Sequence, residues 1–412
     1  MKIDLIIFPM HDWKKGEEES FRTRDGHLMK AFEKSARTGK ILVINRPTSL
    51  PEMVLKKKSW KVKNVLSSRK IGFFSRLGKV ATKTYVLDIF SPRILSPVFM
   101  GRDWWHFIFT RKSILSIAKR AMKELDMVSP ILFLWTPMAT PVIGQLGEKL
   151  IVFDAIDNWL LHPEIRDRRE FIKKGYTTIK ERADLIFVNS EPMKDFLTRN
   201  KDKPVLINNG VDKDFFQLDS SPLPEDMKAI KKPVVGYVGK MSKRLNIELI
   251  SFLCRKLKHV SFVFIGQAIN QKWIVPLFKL PNFYYLGDKP YSLLPFYLAN
   301  FDIGIIPHYE DKYVIKGDSL KMYEYLAAGK PVVTSNITGA KKFQDVIQIA
   351  SDSEKFLAGI KKYLQLIETK RLSPDRLREQ LPENCSWKNK AELMIDLIFG
   401  ALKKDENSNS GN

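Results

Sequence analysis

Gly317-Asp-Ser-Leu-Lys-Met-Tyr-Glu-Tyr-Leu-Ala-Ala-Gly-Lys-Pro-Val-Val-Thr-Ser335 reads as a short helix that runs at once into a buried strand. Asp318 or Ser319 is positioned to cap the helix. Leu320, Tyr323, Leu326 and Ala327 supply a packing face, Gly329 ends the helix, and Pro331 forbids its continuation. Lys321 falls in the first turn, with Glu324 three residues later on the same side. A helix N-terminus with unpaired backbone N–H groups and an adjacent lysine is a natural seat for a diphosphate. A carboxylate behind it can accept hydrogen bonds from a ribose diol. The alternative for the same two residues is an i,i+3 surface ion pair.

Outward from this segment, short apolar runs alternate with helical patterns in both halves of the chain. The expected strands of the first half are Ile3–Phe8, Ile41–Asn45, Ile131–Trp135, Ile151–Asp154 and Leu185–Asn189. Those of the second half are Val234–Val238, Ser261–Ile265, Phe283–Leu286, Ile303–Ile306 and Pro331–Ser335. Near-continuous apolar runs mean strands buried on both faces, as in parallel sheets. The pattern predicts two doubly wound, Rossmann-like α/β domains facing a central cleft. The first covers residues 1–216 and the second 227–385, with the polar, Pro-containing stretch 218–226 as linker. Residues 386–402 have a helical apolar period suited to packing back on the first domain, and 403–412 read as a disordered tail.

Composition narrows the function classes. A chain of 412 residues is too long for one ordinary core. Two cysteines, Cys254 and Cys385, make no disulfide framework, and neither they nor the six histidines show metal-ligand spacing, so no metal site is expected. The start of the chain is broken by Asp4 and Pro9 and is not a signal peptide, and no run has the length of a membrane span. The expectation is a cytoplasmic protein held peripherally on the inner face of the cell membrane. The net charge of +23 favours anionic partners. Between residues 56 and 83 there is no Asp or Glu, and Trp60, Ile71, Phe73 and Phe74 sit among Lys and Arg. Such a mixture suits an anionic bilayer surface; single-stranded nucleic acid is the less favoured partner. A solvated basic face with its aromatics in the core is the plain alternative.

Four further segments carry chemistry. Val234–Arg244 is a strand ending in a glycine turn, where Gly239 permits close backbone approach and Lys240, Lys243 and Arg244 can neutralise phosphate. It is neither a Walker P-loop nor a Gly-x-Gly-x-x-Gly fingerprint. Asn208-Asn-Gly-Val-Asp212 is a turn just before the linker, read either as a hinge element or as an ordinary surface turn. Val152–Trp159 ends a strand in Asp154 and Asp157. Asp157 can take a proton from an acceptor hydroxyl, or it can cap the following helix. Phe21–His27 precedes a helix expected near Leu28, and Arg22, Arg24 and His27 could bind an anionic acceptor.

Taken together, the ordered series resembles the GT-B glycosyltransferases of the group 1, family-4-like type, in particular bacterial enzymes of the teichuronic acid and exopolysaccharide kind. Ser319–Val333 is similar to the family's Pro-x-Lys-x-x-Glu-Tyr-x-Ala-x-Gly-x-Pro-Val-Val, and Asp184–Ser190, Asn208–Asp212, Gly236–Gly239, Phe301–Pro307 and Ser386–Ala391 add to the likeness. The resemblance implies transfer from a nucleotide-diphospho-sugar, held by the second domain, to a lipid-linked or polysaccharide acceptor in cell-surface glycan synthesis. Glu324 would hold the ribose, and Lys321, Ser319, Gly239 and Lys240 would border the diphosphate. Tyr291 would sit near the base. Arg24, His27 and Asp154 would serve the acceptor, and Asp157 and Lys321 the chemistry, without cofactor or metal. The chain departs from the family pattern at Lys316, where a Glu is usual, and at Ser319, Lys240 and Leu245, where Pro, Arg and Lys are usual. Two other classes compete: a sugar-nucleotide epimerase of the same fold, and a non-catalytic basic protein for RNA or membrane on a degenerate form of it.

Overall fold

The computed structural model describes residues 2–55, 57–100, 104–161, 169–199, 203–218, 222–269, 271–310 and 317–409. Lys316, Lys56 and part of the expected linker lie outside the described residues. The chain packs as two units, one of Met1–Asn208 with Lys388–Asn412 and one of Asn209–Trp387. Residues 209–216, assigned by sequence to the first domain, therefore pack with the second. The reason is local: Phe216 is buried in a cluster with Tyr291, Leu294 and Tyr325.

In the first unit the strands are β1 (Ile3–Phe8), β2 (Thr38–Ile44), β3 (Thr48–Ser49), β4 (Ser67–Gly72), β5 (Ser75–Lys79), β6 (Thr84–Ser91), β7 (Ile131–Leu134), β8 (Leu150–Ala155), β9 (Leu185–Val188) and β10 (Val205–Leu206). Their order is β10-β9-β8-β7-β1-β2-β6-β5-β4, with β3 beside β6. From β10 to β6 the pairing is parallel, whereas β6-β5 and β5-β4 are antiparallel. That antiparallel edge is a departure from the expected all-parallel sheet. Its strands escaped the apolar-run criterion because β4 is exposed along most of its length and β6 carries the buried Asp88 in mid-strand. Asp88 is tolerated there because its carboxylate accepts from Asn45 Nδ2 at 2.8 Å and from the Val62 N–H at 2.7 Å.

The helix Trp387–Asn409 closes this unit through Met394, Ile395, Ile398 and Leu402, all buried. Arg37 reaches it with a 2.7 Å bond to Asp396 and lies over the Phe399 ring. The helix also takes in residues 403–409, which sequence assigned to a disordered tail. Polar composition alone does not stop a helix already nucleated, and no Gly or Pro stands between Ala401 and Ser410.

The second unit is built on β11 (Val234–Val238), β12 (Ser261–Ile265), β13 (Phe283–Tyr285), β14 (Ile303–Ile306), β15 (Val332–Ser335) and β16 (Gln348–Ala350). They pair in parallel in the order β13-β12-β11-β14-β15-β16. This is the doubly wound order, in which strand order reverses between β11 and β14. Both faces are covered, as the apolar runs require. Val234 and Val238 enter one core cluster, while Val235 and Tyr237 enter the other.

Candidate functional site

In open parallel sheets a ligand crevice forms beyond the carboxyl ends of the strands where the order reverses. In the second unit that point lies past β11 and β14. The two strands are paired at Val235–Ile303 and Gly236–Gly304. Beyond that pair, the Val238 N–H is bonded instead to the Tyr325 hydroxyl at 2.8 Å. Tyr325 is on the helix Leu320–Ala327, and Lys321, one turn earlier on the same face, is delivered to the next residue of the β11 turn. A Cβ on Gly239 would collide with Cε of Lys321 and lie 2.8 Å from its Nζ. Gly239 also has φ +151°, a backbone conformation that favours glycine, whereas the flexible end of Lys321 can shift aside. The Lys321 ammonium stands 5.5 Å from the centre of the Tyr237 ring.

His308 joins these groups from the end of β14, a residue that sequence reasoning passed over although it directly follows the quoted Phe301–Pro307 run. It is buried, with Nε2 3.3 Å from the Tyr237 hydroxyl. Burial first, then the charges of Lys321 and Arg244, hold its pKa well below the usual histidine value, so it is neutral. The Tyr237 hydroxyl also donates to the Lys240 carbonyl at 3.3 Å. Lys243 and Arg244 are exposed beside them, and Leu245, where the family pattern has Lys, is fully buried.

Glu324 is 7 % exposed, which removes the surface ion-pair reading. Its carboxylate accepts a hydrogen bond from Tyr291, whose hydroxyl is pushed well above its ordinary pKa by burial and then by the Glu324 charge. Tyr291 in turn stacks on Phe215, with ring centres 5.3 Å apart and planes 13° from parallel. Lys321, Gly239, Glu324 and Tyr291 thus meet within one unit around one helix.

The capping expectation is corrected. Ser319 occupies the N-cap position without a side-chain cap bond. Asp318 faces away from the helix N–H groups: its carboxylate accepts from the Asn209 N–H at 3.0 Å, the Tyr323 hydroxyl at 2.5 Å and Lys342 Nζ at 2.6 Å. Asn209 Nδ2 adds a 2.7 Å bond to the Asp318 carbonyl. The Asn208–Asp212 turn therefore pins the loop before the helix, and the division between the two units falls inside it.

In the first unit the proposed acceptor residues have other work. Arg24 and Asp154 are buried and form a two-pronged ion pair, Nε to Oδ2 and a terminal guanidinium nitrogen to Oδ1, both at 2.9 Å. Trp135 Nε1 donates to the same carboxylate at 2.8 Å. These two residues strut the sheet and present no accessible edge to a ligand. The helix begins at Arg24, not near Leu28, so His27 lies in its first turn. Burial, then Lys30, lowers the His27 pKa to about 3, which removes it as a base at neutral pH. Asp157 is half-buried past β8, and its carbonyl accepts from the Tyr176 hydroxyl at 3.1 Å. In the turn that follows, Asn158 Oδ1 accepts from the Leu160 N–H at 3.0 Å. Among the described residues no group of His, Cys, Asp and Glu is arranged to hold a metal ion.

Residues 232–365 match the family Glycosyl transferases group 1. A Bacillus subtilis (strain 168) protein assigned to teichuronic acid biosynthesis as a glycosyltransferase, TuaH, is 27 % identical over 207 residues, 47 % of this chain and 52 % of that one. The match thus spans about half the length of that relative. Sucrose-phosphate synthase from Thermosynechococcus elongatus superposes with a TM-score of 0.68 at 14 % identity, over 98 % of this chain and 100 % of that one. Anabaena HepE in complex with UDP-glucose does so with a TM-score of 0.56 at 13 % identity, over the whole of both chains. The doubly wound sheets and these superpositions give the chain the GT-B fold, and within it residues 232–365 match the group 1 glycosyl transferases.

Proposed function

We propose that the protein transfers a sugar from a nucleotide-diphospho-sugar to a saccharide or lipid-linked saccharide acceptor of the cell surface. The observation that carries this is the seating of the Lys321 ammonium against Gly239, at the point where the second sheet reverses its strand order. A diphosphate there meets a cation, the N-terminus of the Leu320–Ala327 helix and a backbone with no Cβ in the way. Glu324 lies one turn along the helix to receive a ribose diol. HepE was solved with UDP-glucose, and the Bacillus relative is assigned to teichuronic acid biosynthesis, which supports this donor and acceptor class.

In the reaction an acceptor hydroxyl oxygen bonds to the anomeric carbon, and the bond from that carbon to the diphosphate breaks. The leaving diphosphate gains negative charge, which Lys321, with Lys240 as a second cation, stabilises. In an inverting course Asp157 takes the hydroxyl proton. The anomeric configuration of the product, read by NMR, separates inversion from retention.

Lys321→Ala and Glu324→Ala are expected to lower kcat/KM by roughly 10²-fold or more, with circular dichroism unchanged. Full turnover in both variants would remove the donor assignment. A thermal-shift series with UDP-, GDP-, ADP- and CMP-sugars identifies the base, since a ligand that binds the native state raises its stability. Free nucleotide diphosphate released only when acceptor is supplied excludes an epimerase.

A further inference from the structure

We infer that the carboxyl end of β6 is a docking surface for an anionic lipid bilayer, made by three apolar prongs on a basic ground. Three segments converge on Phe90, the last residue but one of that strand. β3 pairs with β6 at Phe90 and Ser91 and leads directly into the helix Leu50–Leu55, which ends in Val54 and Leu55, 66 % and 79 % exposed. The β4–β5 hairpin turns beside Phe90, whose N–H donates to the Phe74 carbonyl at 2.8 Å, and Phe73 at the tip is 92 % exposed. Four residues beyond β6 begins the helix Leu95–Met100, where Leu95, Val98 and Phe99 project into solvent along with the preceding Ile94.

Basic residues flank every prong. Lys57 and Lys58 follow Leu55, Lys70 and Arg76 bracket the hairpin tip beside Arg69, which is paired with Glu124 at 2.9 Å, and Arg93 precedes Ile94. Asp88 is the single acidic residue between Lys56 and Met100, and it is buried. This surface differs from the segment 56–83 expected from sequence. Trp60 turns in against the Phe90 ring and Ile71 packs on the core, while two of the three prongs lie outside that segment. The composition decides the partner. Nucleic acid is gripped by stacking on aromatic rings, whereas Val54, Leu55, Ile94, Leu95 and Val98 have no ring to offer. Aliphatic and phenyl side chains amid Lys and Arg fit an interface that is apolar a few ångströms down and anionic at its surface.

The test is co-sedimentation of the full chain with phosphatidylcholine vesicles, with and without phosphatidylglycerol. The native protein is expected to partition at least about tenfold more strongly onto the anionic vesicles. Phe73→Ser with Phe74→Ser, and separately Leu95→Ser with Phe99→Ser, are each expected to weaken that binding about tenfold with melting temperature unchanged. In a second measurement, the Phe73→Trp variant shows a blue-shifted indole emission on anionic vesicles. Native protein left in the supernatant, prong variants that bind as the native chain does, or an emission of the Phe73→Trp variant unmoved by vesicles would overturn the proposal. So would tighter binding to single-stranded RNA that ignores the prong substitutions. The prongs belong to the first unit and the donor residues to the second, so a donor-induced thermal shift in the prong variants reports on the donor reading independently.

Discussion

At the scale of single residues, the structure separates groups that hold the fold from groups with chemistry to offer. Tyr291 orients Glu324 by a hydrogen bond, and its own ring is fixed by Phe215. Tyr291→Phe keeps the stack and removes the bond, so donor KM is expected to rise about 3- to 10-fold with a smaller change in kcat, as loss of one hydrogen bond dictates. Arg24 and Asp154 carry a different expectation. Asp154→Ala leaves a buried guanidinium without its carboxylate and should cost about 3–5 kcal/mol of stability, read in a denaturant melt. His27 gives a pH signature. It is buried and neutral, with a pKa of about 3 when folded against an ordinary value of 6.5. The unfolded chain therefore binds the extra proton between those values, and stability falls as pH drops through that window, by at most about 1.4 kcal/mol per pH unit. His27→Gln should flatten the fall of melting temperature between about pH 6.5 and 4. An aspartate at a strand's carboxyl end was visible in the sequence, but its partner stood 130 residues away. Type and spacing show which residues could react; they do not show which are already engaged.

At the scale of elements, the most legible segment was the helix and strand from 320 to 335. Its end was set by local chemistry. Gly329 takes φ +67°, its N–H bonds the Leu326 carbonyl at 2.9 Å, and the Lys330 N–H bonds the Tyr325 carbonyl at 2.9 Å. Sequence could not show that Tyr325 is the strut that sets the helix against β11. Tyr325→Phe leaves the Val238 N–H buried and unbonded, which should cost about 1–3 kcal/mol in a urea melt and lower donor affinity through displacement of Lys321. A result in which stability falls and donor affinity stays would confine Tyr325 to a purely structural part. The antiparallel edge was illegible for a different reason. β4 buries little and both strands carry charge, so their pairing comes from the neighbouring strand β6 rather than from their own pattern. The same lack of burial leaves their tip exposed to a partner.

At the scale of the whole molecule, alternation of apolar runs with helices was enough to foresee two doubly wound sheets, because most strands buried on both faces read as near-continuous apolar runs. The boundary between them was not, since turns and linkers share one polar vocabulary. Each core of the second unit is made from residues within 209–387. That segment alone is expected to fold and to keep its thermal shift with the donor, checked by circular dichroism and melting. The first unit is discontinuous: 1–208 is closed by the helix that starts near residue 388. Residues 1–208 alone should aggregate, and joining 388–409 to them through a flexible linker should restore a soluble fold, measured by light scattering. That discontinuity has a consequence for biosynthesis. A ribosome releases the last helix some 200 residues after the sheet it covers, an interval of roughly 10–40 s at ordinary elongation rates. During that time the groove awaiting Met394, Ile395 and Ile398 is open. The unit that begins first finishes last, and the nascent chain is in most need of a chaperone while its second half is being made.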